Sequence, residues 1–295
     1  MGDKAARGER FVDVAVPLAM PLAAAERLQL VTTVKPLALI AAQALGDRAE
    51  VSWLYAPSQS PHQQPLRPSM LRQLADADLV VWVGPSLEGA LAATLRERPA
   101  QSVISFSELV AGPALGGAER DDHRDHGYEH DDDHPHSGHA IDPHLWLQPA
   151  YAERLAAVLR DRLGLTSQPL LSAAQLGGWQ HRLGALQNRA LLMPHRSLDY
   201  LTDFFGLRPA QALASAAGVD GGLRHQLHTL GAARYRCLLA ERSEPDRRLQ
   251  RFAEQLGRPL FSTDSLGADI PLGDSGYSAL IDSLVADLER CLSAP

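Results

Sequence analysis

Residues 29–55 read QLVTTVKPLALIAAQALGDRAEVSWLY, and they contain the pattern from which the fold class can be predicted. The run QLVTTV (29–34) is short, apolar and rich in β-branched residues, which is typical of a strand. PLALIAAQAL (36–45) begins with a proline and continues with helix-forming residues, so it predicts a helix. EVSWLY (50–55) predicts the next strand. A strand, a helix and a second strand in this order indicate parallel strands covered by a helix.

The same alternation of strands and helices continues along the chain. Further strands are predicted at 78–84, 102–105, 190–193, 207–214, 235–240 and 258–263. Further helices are predicted at 69–77, 86–98, 150–163, 197–205, 220–232, 245–256 and 277–291. Together they predict an α/β fold of two similar lobes, in which parallel sheets are covered by helices.

One central segment is predicted to join the two lobes. Residues 167–190, SQPLLSAAQLGGWQHRLGALQNRA, predict one long helix that Gly177 and Gly178 weaken. Its length and its position between the two series of strands predict a rigid connector. We therefore expect an N-terminal lobe at 28–166, the linking helix, and a C-terminal lobe at 191–295.

The N-terminus has the order of a secretory signal peptide over residues 1–27. Basic residues precede the apolar run VAVPLAMPLAAA (14–25), which ends in small residues suited to cleavage. A disordered leader or a cloning remnant is the alternative interpretation. No later stretch approaches the ~20 apolar residues of a membrane span. We therefore expect an exported protein.

The charge of the chain is concentrated in one histidine-rich segment. The formal net charge is −7, and residues 121–139, DDHRDHGYEHDDDHPHSGH, contain seven carboxylates against one arginine, Arg124. The remainder of the chain is close to neutral and has no basic stripe, which argues against nucleic acid as a partner. The segment also contains six of the twelve histidines, namely His123, His126, His130, His134, His136 and His139.

This segment is predicted to collect cations without holding one tightly. Imidazole and carboxylate groups suit a borderline cation such as zinc. Apart from Tyr128 the segment has no strongly apolar residue, so it cannot bury a face, and closing a shell around a metal would cost it much conformational entropy. A selective metal site is therefore expected elsewhere in the chain.

The only cysteines are Cys237 and Cys291, and they are predicted to form a disulfide. In an exported protein a pair of cysteines favours a disulfide over free thiols. The disulfide would close a loop of about 55 residues, which stabilises a fold by roughly 4 kcal/mol in the chain-entropy model. The alternative is a metal site, which is disfavoured because neither cysteine belongs to a CxxC motif.

Ligands of parallel sheets bind beyond the carboxyl ends of the strands. Four polar residues follow predicted strands or lie at the edge of the first lobe, and they are therefore candidate ligands. They are His62, His144, His195 and Asp264. Three imidazoles and one carboxylate suit tetrahedral Zn²⁺, whereas Mn²⁺ prefers more oxygen ligands and octahedral geometry. Each histidine alone could be an ordinary loop residue, and Asp264 could equally serve as a helix cap or turn residue.

Five other residues are assigned structural roles. Trp82 and Trp146 are predicted to be packing residues rather than cation contacts. The remaining three are His181, His225 and His228, which lie on predicted helices without matching partners and are predicted to be surface or helix-packing residues.

Several motifs resemble the metal-receptor components of bacterial ABC transporters, in the cluster of zinc and manganese substrate-binding proteins. The resemblance extends from about residue 28 to the end, and the histidine-rich insert is similar to the zinc-specific, ZnuA-type branch. The motifs that carry it are VTTVKPLALIAAQAL, SPHQQPLRPSMLRQLADADLVVWVGPSLE, DPHLWLQP, MPHRSLDYLTDFFGL and FSTDSLGADIPLGDSGYSALI.

The resemblance implies two α/β lobes joined by a rigid helix, with the metal in the cleft between them. His62, His144 and His195 match the three histidine ligands of the family. The fourth ligand is Asp264 or a water; Pro61 stands where some members place an acidic residue, which favours Asp264. The two cysteines match the positions at which zinc members form a disulfide.

The resemblance further implies a monomeric periplasmic receptor that binds Zn²⁺ and delivers it to an ABC transporter membrane permease. A manganese or iron receptor of the same family is one alternative, and a zinc-buffering or adhesive surface protein is another. A zinc hydrolase would need an open coordination position and a general base. The chain has no HExxH motif, and no glutamate flanks the three histidines at a useful spacing, so we expect a protein that is not an enzyme.

Overall fold

The computed structural model describes residues 27–57, 65–112, 142–213, 234–242 and 247–295. The strands are β1 (Leu28–Thr32), β2 (Ala49–Trp53), β3 (Leu79–Trp82), β4 (Val103–Ser105), β5 (Ala190–Met193), β6 (Gln211–Ala212), β7 (Tyr235–Glu241) and β8 (Leu260–Thr263). The helices are α1 (Lys35–Leu45), α2 (Pro68–Ala75), α3 (Pro85–Glu88), α4 (Ala92–Arg96), α5 (Phe106–Ala111), α6 (Pro149–Arg162), α7 (Ala173–Gly184), α8 (Asp199–Phe204), α9 (Arg247–Leu256) and α10 (Gly276–Leu292).

The strands form two parallel sheets with the same topology. The first sheet has the order β2-β1-β3-β4 and the second the order β6-β5-β7-β8. Every strand pair in both sheets is parallel. The predicted α/β fold of two similar lobes is therefore confirmed. In the first sheet β2 and β3 lie on opposite sides of β1, and in the second sheet β6 and β7 lie on opposite sides of β5. Parallel sheets with this reversal of strand order bind ligands at the carboxyl ends of the strands where the order reverses.

Two predicted helices differ from the helices that form. The helix predicted at 86–98 is divided into α3, a 3₁₀ turn and α4, because Glu88 leaves the helical conformation with φ −114° and ψ 48°. The predicted linking helix is shorter at both ends than 167–190. Ser172 and Gln175 form a capping box that starts α7 at Ala173.

The residues before α7 are held by a side chain instead of by helical hydrogen bonds. The backbone N–H groups of Leu170 and Leu171 each donate to the Glu153 carboxylate at 2.9 Å. The strand predicted at 207–214 is reduced to the two residues of β6. The helix predicted at 220–232, the first 26 residues and the segment 121–139 lie outside the described residues.

Helix α1 lies at the junction of the two lobes. Every residue of it is buried except Gln43, and it packs against both α6 and α10. Gln43 Nε2 donates to the Leu170 carbonyl at 2.6 Å, and Gln43 Oε1 accepts from the Ser278 N–H at 3.0 Å. One hydrophobic cluster accordingly runs from the first sheet through α1 into α10. Because the two lobes share this core, they are joined by packing as well as by the chain.

The predicted disulfide is present and lies inside the C-terminal lobe. Cys237 of β7 bonds Cys291 of α10 across a Cα–Cα distance of 5.5 Å, and both residues are fully buried. The bond ties the last helix to a central strand of the second sheet. Within the described ranges, no helix is long and apolar enough to cross a membrane.

Candidate metal centre

His144 lies in a short turn that both lobes hold in place. It immediately precedes a 3₁₀ turn at Leu145–Leu147 whose side chains are all buried. Trp146 Nε1 donates to the Ser265 carbonyl at 3.0 Å, and the Tyr277 hydroxyl donates to the Trp146 carbonyl at 2.9 Å. Trp146 is thus a packing residue, as predicted, and its contacts connect the backbone of His144 to the loop after β8 and to α10.

The His144 ring is oriented by Asp142, a contact that sequence reasoning missed. His144 Nδ1 lies 2.6 Å from Asp142 Oδ1, which also accepts from the His144 backbone N–H at 3.0 Å. With Nδ1 donating to the carboxylate, a metal would be bound through Nε2, which is the arrangement that metal-ligating histidines commonly have. The spacing D-x-H in DPHLW was the available signal.

Asp142 remains a carboxylate in this contact. Burial alone would raise the pKa of Asp142, but the hydrogen bond and charge of His144, together with the charge of His195, outweigh it and lower the pKa below its ordinary value. The carboxylate therefore stays charged at neutral pH and keeps the His144 ring in one orientation.

His195 is brought beside His144 from the other lobe. It follows β5 by two residues, and its ring centroid lies 4.8 Å from that of His144, with a tilt of 58° between the planes. Two of the predicted ligands, one from each lobe, thus meet just beyond the carboxyl end of β5. His62 lies outside the described residues, as do the six histidines of the segment 121–139.

Asp264 follows β8 as predicted, but its carboxylate is engaged in its own loop. Oδ1 accepts from the Leu266 N–H at 3.2 Å and Oδ2 from the Ala268 N–H at 2.7 Å. Among the residues that the structure describes, no group of three or more His, Cys, Asp or Glu side chains is close enough to hold a metal. The structure therefore pairs the two histidines without placing Asp264 beside them.

Glu241 is a second residue that sequence reasoning missed. This buried carboxylate ends β7, accepts from the Ser197 hydroxyl at 2.5 Å and accepts from the Ser265 N–H at 3.2 Å. Burial raises the pKa of Glu241, while the hydrogen bonds and the charge of His144 act in the opposite direction. Because Ser197 follows His195 and Ser265 follows Asp264, Glu241 connects the two loops that carry these predicted ligands.

Glu88 is a carboxylate of the first lobe that likewise connects the ends of two strands. It is buried, and it accepts hydrogen bonds from the Thr33 hydroxyl, from the Gly84 N–H at 2.9 Å and from the Val83 N–H at 3.3 Å. Burial raises the pKa of Glu88 to about 7, although all three hydrogen bonds favour the charged form. Glu88 thus connects the residues that follow β1 and β3.

The raised pKa of Glu88 predicts a loss of stability as the pH rises. An acid whose pKa is higher in the folded state stabilises the fold most below its unfolded pKa of 4.5, and this contribution is lost as the pH rises to about 7. The corresponding change in the free energy of unfolding is about 3 kcal/mol. The free energy of unfolding of the metal-free protein, measured by urea denaturation, should therefore decrease more between pH 5 and pH 8 in the wild type than in Glu88→Gln. An equal decrease in both proteins would contradict this prediction.

Gly84 provides a second test of this turn. Its φ of +141° is strained for other residues, and a Cβ atom there would lie 2.2 Å from Ser107 Oγ. We expect Gly84→Ala to lower the free energy of unfolding by about 1–3 kcal/mol, measured by urea denaturation. Gly89→Ala is the matched control, because a Cβ atom at Gly89 meets nothing within 4 Å. If both variants have the same free energy of unfolding, the prediction that only glycine fits at position 84 is wrong.

Comparison with known proteins gives a consistent result. The family model described as "ZnuA: Zinc-uptake complex component A periplasmic" matches residues 30–168. The chain is 28% identical over 289 residues to the high-affinity zinc uptake system protein ZnuA of Yersinia pestis, covering 89% of this chain and 90% of that relative. It is 30% identical over 229 residues to the protein of the same name from Paracoccus denitrificans, covering 65% of this chain and 68% of that relative.

A solved structure supports the assignment of the fold. The periplasmic zinc binding protein TroA from Treponema pallidum matches with a TM-score of 0.68 and 16% identity, over 92% of this chain and 100% of that chain. The match extends over both lobes, and the sequence matches to ZnuA proteins extend over most of the same residues. The chain belongs to the ZnuA family of zinc-uptake proteins.

Proposed function

We propose that this protein is a periplasmic receptor that binds Zn²⁺ with high affinity and delivers it to the membrane permease of an ABC transporter. The observation that carries the proposal is the pair formed by His144 and His195, which come from different lobes and lie 4.8 Å apart, with Asp142 orienting the first ring. A ring that donates through Nδ1 to a carboxylate is prepared to bind a metal through Nε2.

The proposed ligand set is His62, His144 and His195, with Asp264 or a water as the fourth ligand. Nitrogen ligands in this number favour zinc over manganese, which prefers more oxygen ligands. Only neutral imidazole binds the metal, so zinc affinity should decrease as the pH falls below the ordinary histidine pKa of about 6.5. Zn²⁺ is the cargo of the protein and not a resident cofactor.

The engagement of the nearby carboxylates favours binding over catalysis. A zinc hydrolase needs a general base within reach of a metal-bound water. Asp142 holds the His144 ring, and Glu241 accepts hydrogen bonds from Ser197 and Ser265, so both carboxylates already have structural partners. The proposed receptor is accordingly not an enzyme, and as a monomer it needs only zinc and the permease as partners.

The histidine-rich segment is proposed to be an accessory that collects zinc for the cleft. Deleting residues 121–139 should leave one tight zinc site, measured by competition titration against a chelator of known affinity. The number of weak sites should decrease, because six histidines are removed with the segment. Loss of the tight site upon this deletion would show that the two roles were assigned the wrong way round.

Zinc uptake by cells distinguishes a transport receptor from a buffering or adhesive protein. Deleting the gene in its own host should lower uptake of radioactive zinc at limiting concentrations. The wild-type gene should restore uptake, and the His144→Ala/His195→Ala double variant should fail to restore it. Unchanged uptake in the deletion strain would favour the buffering or adhesive alternative.

A further inference from the structure

A positively charged side chain lies beside Asp264, the proposed fourth ligand. Arg242 Nη1 is 3.6 Å from Asp264 Oδ2 and 2.5 Å from Asp269 Oδ2. The two carboxylates therefore share one guanidinium. Arginine remains charged at any pH at which the protein is folded, so its charge is a permanent feature of this loop.

The backbone of the second sheet places Arg242 there. The Arg242 N–H donates to the Thr263 carbonyl at 2.7 Å, which extends the pairing of β7 and β8 by one residue. Asp264 is the next residue after Thr263, so the two side chains leave neighbouring strands at the same level. The closeness of Arg242 to Asp264 thus follows from the strand register.

Lys35 adds a second positive charge from the other lobe. It is buried at the start of α1, and its Nζ donates to the Ala268 carbonyl at 2.7 Å. Burial lowers the pKa of Lys35, and the charges of Asp264 and Asp269 act against this shift. The loop at 264–269 is consequently held between a lysine of the first lobe and an arginine of the second.

Two positive charges beside a proposed cation ligand oppose the binding of Zn²⁺. A guanidinium repels the metal, and it also stabilises the Asp264 carboxylate within its own loop, where both oxygens accept backbone hydrogen bonds. We infer that Arg242 competes with Zn²⁺ for Asp264 and so accelerates release of the metal, while Asp269 draws Arg242 away. This inference rests on the proposed function, in which Asp264 binds zinc.

Three variants test the competition between Arg242 and zinc. Arg242→Gln should raise zinc affinity about fivefold, mainly because zinc is released more slowly. A change of this size corresponds to the free energy of an exposed ion pair. Asp269→Asn should lower zinc affinity, because Arg242 then has Asp264 as its remaining carboxylate partner in this contact. Once Arg242 has been replaced by Gln, adding Asp269→Asn should change zinc affinity little, because the arginine through which Asp269 acts is absent. Competition titration and stopped-flow release into a chelator give both quantities.

Three controls separate this role from a structural one. Arg182→Gln removes the same charge from α7, where Arg182 pairs with Asp282 and Glu289 of α10, and it should leave zinc affinity unchanged. The effect of Arg242→Gln should also shrink between low and high salt, because exposed charges are screened. Arg242→Lys, which keeps the charge, should stay close to the wild type.

The outcomes distinguish this inference from the proposed function. Asp264→Asn provides the reference. If it weakens zinc binding while Arg242→Gln leaves affinity and release rate unchanged, the competition is refuted and Asp264 remains a ligand. If Asp264→Asn itself has no effect, Asp264 is not a ligand, the fourth position belongs to water, and the inference falls with it. Additive effects of Arg242→Gln and Asp269→Asn would also overturn the inference.

Discussion

Replacing His144 and His195 together with alanine is expected to abolish tight zinc binding. The apparent binding free energy of a four-ligand zinc site is about 10–16 kcal/mol at neutral pH, so each ligand contributes on the order of a hundredfold in affinity. Loss of both imidazoles should therefore weaken binding on the order of 10⁴-fold. The effect is large because the double variant removes both of the imidazoles that the structure brings together, with ring centroids 4.8 Å apart.

The measurement is competition titration at pH 7.5 against a chelator of known zinc affinity. Asp142→Asn should cause a smaller loss of about ten- to a hundredfold, because the histidine that it orients remains present. His181→Ala is the control, since His181 is an exposed residue of α7. Zinc affinity in the double histidine variant within tenfold of the wild type would contradict the proposed site.

Removing the disulfide is expected to have the largest effect on stability. Cys237 and Cys291 are separated by 54 residues, and cross-linking a loop of this length stabilises a fold by about 4 kcal/mol in the chain-entropy model. The Cys237→Ala/Cys291→Ala double variant should therefore lose about 4 kcal/mol in its free energy of unfolding. Urea denaturation monitored by tryptophan fluorescence measures the change.

The matched comparison for this variant is urea denaturation of the wild type with and without a reductant. The reduced wild type should be destabilised by a similar amount, whereas the reductant should not change the stability of the double variant. Zinc affinity should remain close to wild type where the variant is folded, because the bond links β7 to α10 and includes no proposed ligand. A loss of stability below about 1 kcal/mol would contradict the prediction.

Much of the fold was predictable from local pattern. The apolar runs QLVTTV and YRCLLA correspond to β1 and β7, and PLALIAAQAL corresponds to α1, with differences of one or two residues at the ends. These segments were recognisable because buried parallel strands are short and uniformly apolar, and because a proline near the first turn marks a helix start. The cysteine pair was predictable because the chain has only two cysteines.

The contacts that organise the site were less predictable because they depend on tertiary structure. Nothing local distinguishes Glu88 or Glu241 from an ordinary surface glutamate, yet each is buried and joins two loops. The predicted linking helix was too long because the capping box at Ser172 and the carboxylate of Glu153 compete with helix extension. The shared core around α1 likewise appears only when both lobes are assembled.

The most direct test of the proposed site is a crystal structure of the zinc-loaded protein with anomalous diffraction at the zinc edge. The proposal predicts one strong peak about 2.0–2.1 Å from Nε2 of both His144 and His195, with His62 as a third ligand. A strong peak that contacts neither His144 nor His195, or one found only within residues 121–139, would contradict it.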